Sequence, residues 1–367
     1  MALRLKEMNL VMVRSYLAKK NMLMLGKPGI GKTCTIEHFV ERMKERIPEF
    51  RVWPFYGPTM SPMDIQAGMP DNATGTLKMY SNAGLPNAYR EPDVKGVVFI
   101  GEILNTDPTT LKLLQKYVNG EDMNGVLRKP AGVTVIADSN RLEDKSGVMQ
   151  QFRALLNRFK KISVYTEEND NIEYAAKHNW HPMVQAFFRE NPASIDNYEK
   201  VFAADSGRGS SAKQNDQMAE EGKQGTWACM RGWNDISDTE YAAEELGSPL
   251  TRDEVIGAVG TGVGMAYVSF KEVVARLASI EEVLSDPEGV AVPTKIDELY
   301  ALCMIVSLRC KPEDLKKIYT FAKRVQHDMQ VFMLKTMMGR EKFGLVGTDV
   351  YREWVLNPQI NKLVNAR

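Results

Sequence analysis

A chain of 367 residues exceeds what one small core can organise, and ordinary domain sizes predict several compact units, three being the expectation here. Hydrophobic residues make up 44% and charged residues 26%, a balance that favours neither wholesale disorder nor membrane residence. Lys plus Arg and Asp plus Glu are both 47, so no overall positive field exists to hold a nucleic-acid backbone, and nucleic acid is not the expected partner.

The first twenty residues, MALRLKEMNLVMVRSYLAKK, mix basic and apolar side chains without a continuous apolar core or a small-residue cleavage site. They predict an amphipathic lead-in helix. NMLMLGKPGIGKTCTIEHFVERMKERI then predicts a strand, a glycine turn and a helix, with Ile36, Phe39, Val40 and Met43 at helical spacing. RVWPFYGPTMSPMDIQAGMP reads as a short strand and a Pro/Gly-rich connection. GVVFIGEIL at 96–104 is a buried β-run, and as the longest strongly apolar stretch it falls far short of the roughly 20 residues needed to span a bilayer. PTTLKLLQKYVNG predicts a helix, and GVTVIA (132–137) and FKKISVY (159–165) two further strands.

Strands alternating with helices imply a parallel sheet covered on both faces, an α/β core over residues 1–165. Beyond about residue 166 the pattern is helical. A helical lid is expected over 166–270, interrupted at 204–225 by ADSGRGSSAKQNDQMAEEGKQG, whose lack of large apolar side chains predicts a mobile loop. Residues 271–367 carry repeated apolar spacing broken by SDPEG and CKPED, and predict a separate C-terminal helical domain. Cys34, Cys229, Cys303 and Cys310 are widely spaced with no CxxC pair, which argues against a zinc site or a disulfide framework and fits a reducing cytoplasm.

The strongest chemical signal is GKPGIGKT at 26–33. Gly26, Gly29 and Gly31 let the backbone curl so that successive N–H groups face phosphate oxygens, and the following helix adds its positive end. Lys27, Pro28, Ile30 and Cys34 complete the expected contact stretch with ATP. Lys32 would reach the β- and γ-phosphates, and Thr33 would offer its hydroxyl to Mg²⁺. A chance glycine turn is the bland alternative, and a strand before and a helix after the full motif make it a poor one. Hydrolysis also requires a carboxylate that orients water, and Glu102 follows the second apolar strand. In most P-loop enzymes an Asp that holds the Mg²⁺ water shell precedes that Glu; here the position is Gly101.

IGEILNTDPTTLKLLQKYVNGE, VIADSNRLED and ALLNRFKKISV follow the P-loop in order, and as a set they resemble the MoxR-like AAA+ ATPases over roughly residues 5–270. The resemblance implies a P-loop AAA+ core, and a ring, most often a hexamer, that uses ATP to remodel a client. In that group the client often comes with a partner carrying a von Willebrand factor A domain. Asn140 matches the sensor-1 residue. Arg158 matches the arginine finger that enters a neighbouring subunit's site, with Arg153 placed to share that role.

HPMVQAFFRENP (181–192) and TWACMRGWNDIS (226–237) resemble the lid motifs, which puts Arg231 on the sensor-2 arginine, although Met230 replaces the usual proline. His181 is expected to be structural, and Trp227 and Trp233 to pack the lid. Segments 71–93 and 119–132 resemble pore-facing insertions and read equally well as idle surface loops. Two other functions stay open: a nucleotide-dependent scaffold with little hydrolysis, which Gly101 favours, and a DNA-directed motor, which the balanced charge disfavours.

Overall fold

The computed structural model describes residues 2–141, 153–205, 226–340 and 343–365. The chain divides into two compact units, Met1–Glu167 and Glu168–Arg367.

In the first unit the described elements run β1 (Leu3–Arg4), α1 (Met8–Leu17), β2 (Met22–Leu25), α2 (Lys32–Arg46), β3 (Arg51–Tyr56), β4 (Gln66–Asp71), β5 (Thr76–Ser81), β6 (Gly96–Gly101), α3 (Pro108–Asn119), β7 (Val133–Ser139), α4 (Arg153–Leu156) and β8 (Lys160–Tyr165). Six strands form one sheet in the order β1-β8-β2-β7-β6-β3, with every neighbouring pair parallel. Side chains alternate across it. Leu23, Val98, Ile100, Val135 and Ala137 join Leu111, Leu114 and Tyr117 of α3 on one face. Met22, Met24, Val97, Phe99 and Ile136 join Met8 and Met12 of α1 and Ile36 and Phe39 of α2 on the other. β6 and β7 are buried along their whole length, as central strands of a doubly covered parallel sheet must be. β3, which contains Pro54, lies at the edge, where a sheet tolerates proline.

The expected strands and helices of this core are present, with three differences. The lead-in helix is preceded by the two-residue edge strand β1, which pairs with β8. The GVVFIGEIL run ends at Gly101 and turns into a single 3₁₀ turn, Ile103–Asn105, while the GVTVIA run continues to Ser139. The Pro/Gly-rich connection contains an antiparallel hairpin, β4 with β5, whose register pairs Asp71 with Thr76 across the turn. In the 119–132 segment the only extended pairing among the described residues is the Met123–Leu127 bridge.

β2 holds the centre of this topology. The chain leaves its carboxyl end through α2 to reach β3 beyond β7 and β6, whereas β8 pairs on its opposite side. Connections that diverge in this way open a crevice above the strand ends.

The second unit is helical: α5 (Glu168–Lys177), α6 (Pro182–Glu190), α7 (Tyr198–Asp205), α8 (Met230–Leu246), α9 (Arg252–Val259), α10 (Thr261–Val274), α11 (Ile280–Ser285), α12 (Ile296–Arg309), α13 (Leu315–Ala322), α14 (His327–Met338), α15 (Asp349–Val355) and α16 (Pro358–Asn365). One core gathers Trp180, Phe187, Phe188, Trp233 and Tyr267, and another Phe321, Leu334, Met337 and Trp354. α12 serves both, sending Ala301, Met304 and Leu308 to the first and Leu302, Cys303 and Val306 to the second. Packing thus joins the 166–270 and 271–367 segments through α12, and Phe332 of α14 also packs against both cores. Of the loop expected at 204–225, Ala204 and Asp205 close α7, and 206–225 lie outside the described residues.

Candidate functional site

Between β2 and α2 the backbone turns through Gly29 at φ +77° and Gly31 at φ +93°, left-handed conformations that side chains disfavour. Gly31 is the N-cap of α2 and provides no capping side chain, so the amides of the first turn face the loop interior. Gly26 is held by contact rather than by angle. A Cβ there would lie 2.8 Å from Ile30 Cδ1 and from Val164 Cγ2, and its own N–H donates to the Ser139 carbonyl at 3.2 Å. The loop is therefore tied to both β7 and β8.

Lys32 turns back into this loop. Its ammonium donates to the carbonyls of Gly26 (2.9 Å) and Lys27 (2.8 Å) and to Oδ1 of Asn140 (3.0 Å), and the residue is 8% exposed. Ile30 is buried, Lys27 and Pro28 are half-buried, and Thr33 and Cys34 are exposed on the first turn of α2. A buried ammonium inside a curl of positive-φ glycines at a helix start fits the charge and shape of a triphosphate. Among the described residues no group of three or more His, Cys, Asp or Glu could hold a metal ion.

Glu102 stands directly after β6, half-buried, with its backbone at φ 50°, ψ 42°. A non-glycine residue in this region carries strain of about 1–3 kcal/mol, which persists only where surroundings enforce it. Two hydrogen bonds do so: the Glu102 N–H donates to Asp138 Oδ1 at 2.9 Å, and Asn105 Nδ2 donates to Glu102 Oε2 at 3.0 Å. Gly57 closes the turn from outside, since a Cβ there would lie 2.3 Å from Thr106 Oγ1 and 2.7 Å from the Glu102 carbonyl.

Asp138 is the residue that sequence reasoning passed over. It is 4% exposed on β7, two positions before Asn140. Burial pushes its carboxyl above the usual range, opposed by the Glu102 N–H and by the Lys32 charge. The available signal was a carboxylate inside an otherwise apolar strand.

Lys32, Glu102, Asp138 and Asn140 thus meet at the carboxyl ends of β2, β6 and β7. Arg158 does not join them in its own chain. It is exposed just before β8, its Nε donating to Asn119 Oδ1 at 3.1 Å, at the amino end of a strand whose Lys160 pairs with Met22. With about 3.3 Å per strand residue, the length of β2 alone places it roughly 13 Å from the loop end. Arg153 heads α4. Arg231 is exposed on the first turn of α8, in the second unit, with Cys229 as N-cap and Met230 opening the helix. His181 is the N-cap of α6, accepting from the Met183 N–H at 3.2 Å, which is the structural role expected of it. Trp233 is fully buried, and Trp227 packs its ring on Tyr198 at 5.3 Å. No disulfide joins the four cysteines, three of which are buried.

Residues 21–159 match the family model described as AAA domain (dynein-related subfamily). No curated protein matches the chain. Among solved structures it is similar to a Cytophaga hutchinsonii protein whose ATPase designation is itself inferred, at 16% identity and TM-score 0.35, over 48% of this chain and 52% of that one. The chain thus spans about half the length of that protein. It is also similar to the Thermotoga maritima RuvB Holliday junction branch migration motor, at 15% identity and TM-score 0.33, over 77% and 74% of the two chains. NtrX from Brucella abortus is a third, at 10% identity and TM-score 0.40, over 92% and 68%. The fold is a P-loop AAA core with a parallel six-stranded sheet, followed by a helical part. Among the described residues no helix is long and apolar enough to cross a membrane.

Proposed function

We propose that this chain is an ATPase of the AAA+ class, binding ATP with Mg²⁺ at the Lys32 loop and hydrolysing it to drive work on a partner protein. The observation that carries this reading is the Lys32 ammonium, held between its own loop carbonyls and Asn140 of β7. Phosphate oxygens arriving in the loop would replace those acceptors and draw the β7 strand end into contact with the nucleotide. Mg²⁺ would neutralise charge on the triphosphate, with Thr33 as its protein hydroxyl. The Glu102 carboxylate, fixed by Asn105, would orient the attacking water and take its proton as the terminal P–O bond breaks.

Asn140 would sense the γ-phosphate from the same chain. Arg158, remote from the loop within its own chain, would complete the site of a neighbouring subunit, a role Arg153 would share. Arg231 would report nucleotide state from the helical unit. The assembly this implies is a ring of identical subunits, a hexamer of MoxR type, acting in the cytoplasm on a client protein with an adaptor bearing a von Willebrand factor A domain. The resemblance of the motif set supports these finer points.

Gly101 favours a second reading, a nucleotide-dependent scaffold with little turnover, because the carboxylate usual at that position is missing. Calorimetry with ATP and a phosphate-release assay test the two together. Lys32→Ala should abolish nucleotide uptake. Measurable turnover that depends on Glu102 supports the ATPase, whereas uptake with a rate indifferent to Glu102→Gln supports the scaffold.

A further inference from the structure

Gly101 lacks the side chain, yet a carboxylate lies beside the place where that side chain would begin. On β6, residues 97 and 99 face α2, and alternation directs position 101 to the same side. On β7, Ile136 faces α2, and Asp138 follows it by two residues. Ile100 pairs with Ala137 in the parallel register, so Gly101 and Asp138 are level on adjacent strands. A Cβ built at 101 would lie 3.7 Å from Asp138 Oδ1.

Nothing in the backbone requires glycine at 101. Its φ is not positive, and the added Cβ would meet Phe99, Tyr56 and Asp138 only at ordinary contact distances of 3.6–3.7 Å. The position a Cβ would take at 101 therefore borders the Asp138 carboxylate.

Burying that carboxylate costs free energy that a single amide hydrogen bond does not require, since a neutral Ser or Asn would cap the Glu102 N–H as well. A carboxylate this buried is held as an anion only where a cation stands beside it. Lys32, already engaged by the loop and Asn140, is one.

We propose that Asp138, from the neighbouring strand, supplies the metal-side carboxylate that Gly101 cannot, helping to hold the water shell of the divalent cation that accompanies the triphosphate. This rests on the nucleotide site proposed above. It also removes the reason to expect a scaffold without turnover, because the missing group has been moved rather than lost.

The test measures metal, not catalysis. Mn²⁺ binding to the full chain is followed by electron paramagnetic resonance in the presence of the non-hydrolysable ATP analogue AMP-PNP, alongside calorimetry of AMP-PNP in EDTA. Asp138→Asn keeps an acceptor for the Glu102 N–H and removes only the charge. It should weaken Mn²⁺ about 10- to 100-fold, the usual loss when a group orienting metal ligands is removed, while metal-free AMP-PNP affinity is kept. Because a charge-neutral β7 could also fold poorly, the exchange variant Asp138→Ser with Gly101→Asp is measured in parallel, and should recover most of the lost Mn²⁺ affinity. Unaltered Mn²⁺ affinity in Asp138→Asn, with AMP-PNP still bound, overturns this inference and leaves the nucleotide site standing. No AMP-PNP uptake by the unaltered chain overturns both.

Discussion

The Glu102 amide reaches across 36 residues of sequence to Asp138 Oδ1 at 2.9 Å, and in doing so locks two strand ends into one unit. Glu102 is held in a left-handed conformation that it would not choose alone, and Asn105 holds its carboxylate from the other side. The aim of that carboxylate is thus a property of three residues on two elements.

Glu102→Gln should leave ATP affinity within about threefold of the unaltered chain and lower steady-state phosphate release by about 10²- to 10⁴-fold, the usual range for a proton-accepting group. Gln preserves an oxygen for the Asn105 Nδ2 donor, so misfolding is not the expected cause. A rate within twofold of the unaltered chain would remove Glu102 from the reaction.

Gly57→Ala tests the same turn without touching nucleotide. The new methyl would overlap Thr106 Oγ1 and the Glu102 carbonyl, and overpacking of this kind costs about 1–3 kcal/mol unless the turn moves. The expected result is slower turnover with retained ATP affinity and a modest fall in melting temperature. Full activity would show that Glu102 does not depend on this closure.

Cys34 reports on occupancy of the loop. It is exposed on the first turn of α2, whereas burial pushes the Cys303 thiol up to about 12 and the Cys310 thiol to about 11. A small maleimide should label Cys34 first, as mass mapping can verify, and saturating ATP with Mg²⁺ should slow that reaction severalfold. Labelling that ignores nucleotide would place the phosphates elsewhere.

His181 predicts a pH dependence of stability. Its Nδ1 accepts the Met183 N–H, and its Nε2 faces Glu244 Oε1 at 3.1 Å, which fixes the neutral tautomer protonated at Nε2. Burial holds its pKa below the ordinary value, overcoming the pull of Glu244 and Glu240, with Arg309 acting in the same direction as burial. The unfolded chain therefore binds the proton more readily. Stability is complete above the unfolded pKa of about 6.5 and declines as pH falls from there toward the depressed folded value. Asn at 181 keeps a cap and cannot titrate. Melting temperatures from pH 8 to 5 should fall more steeply for the unaltered chain than for His181→Asn, and parallel curves would refute the assignment.

Trp233→Ala should cost about 3–5 kcal/mol, the range for deleting a large buried aromatic. The ring is fully buried, with Phe187, Phe188 and Tyr267 centroids within 5.2–5.4 Å, and its indole N–H donates to the Ser194 carbonyl at 3.3 Å. Denaturant midpoints measure the loss.

Local spacing was enough for the phosphate loop, because a strand, three glycines and a helix start lie within one continuous stretch and each glycine's task is set by its immediate neighbours. The same holds for β6 and β7, whose uninterrupted apolar runs match burial on both faces. The β4–β5 hairpin stayed hidden because neither strand has a buried face: its residues are exposed or half-buried throughout, so pairing rather than a hydrophobic pattern holds it.

Asp138 was equally illegible, since a lone Asp near a strand end has no pattern to mark it. Its meaning comes from register, which sets it level with Gly101 on the next strand and turns it to the α2 face. Sequence by itself determined that a nucleotide-type loop exists and which strands carry it, because those features arise from contacts between near neighbours along the chain. Only the tertiary structure decided that Asp138 stands beside Glu102 and Gly101, because parallel pairing brings together strand ends that lie tens of residues apart.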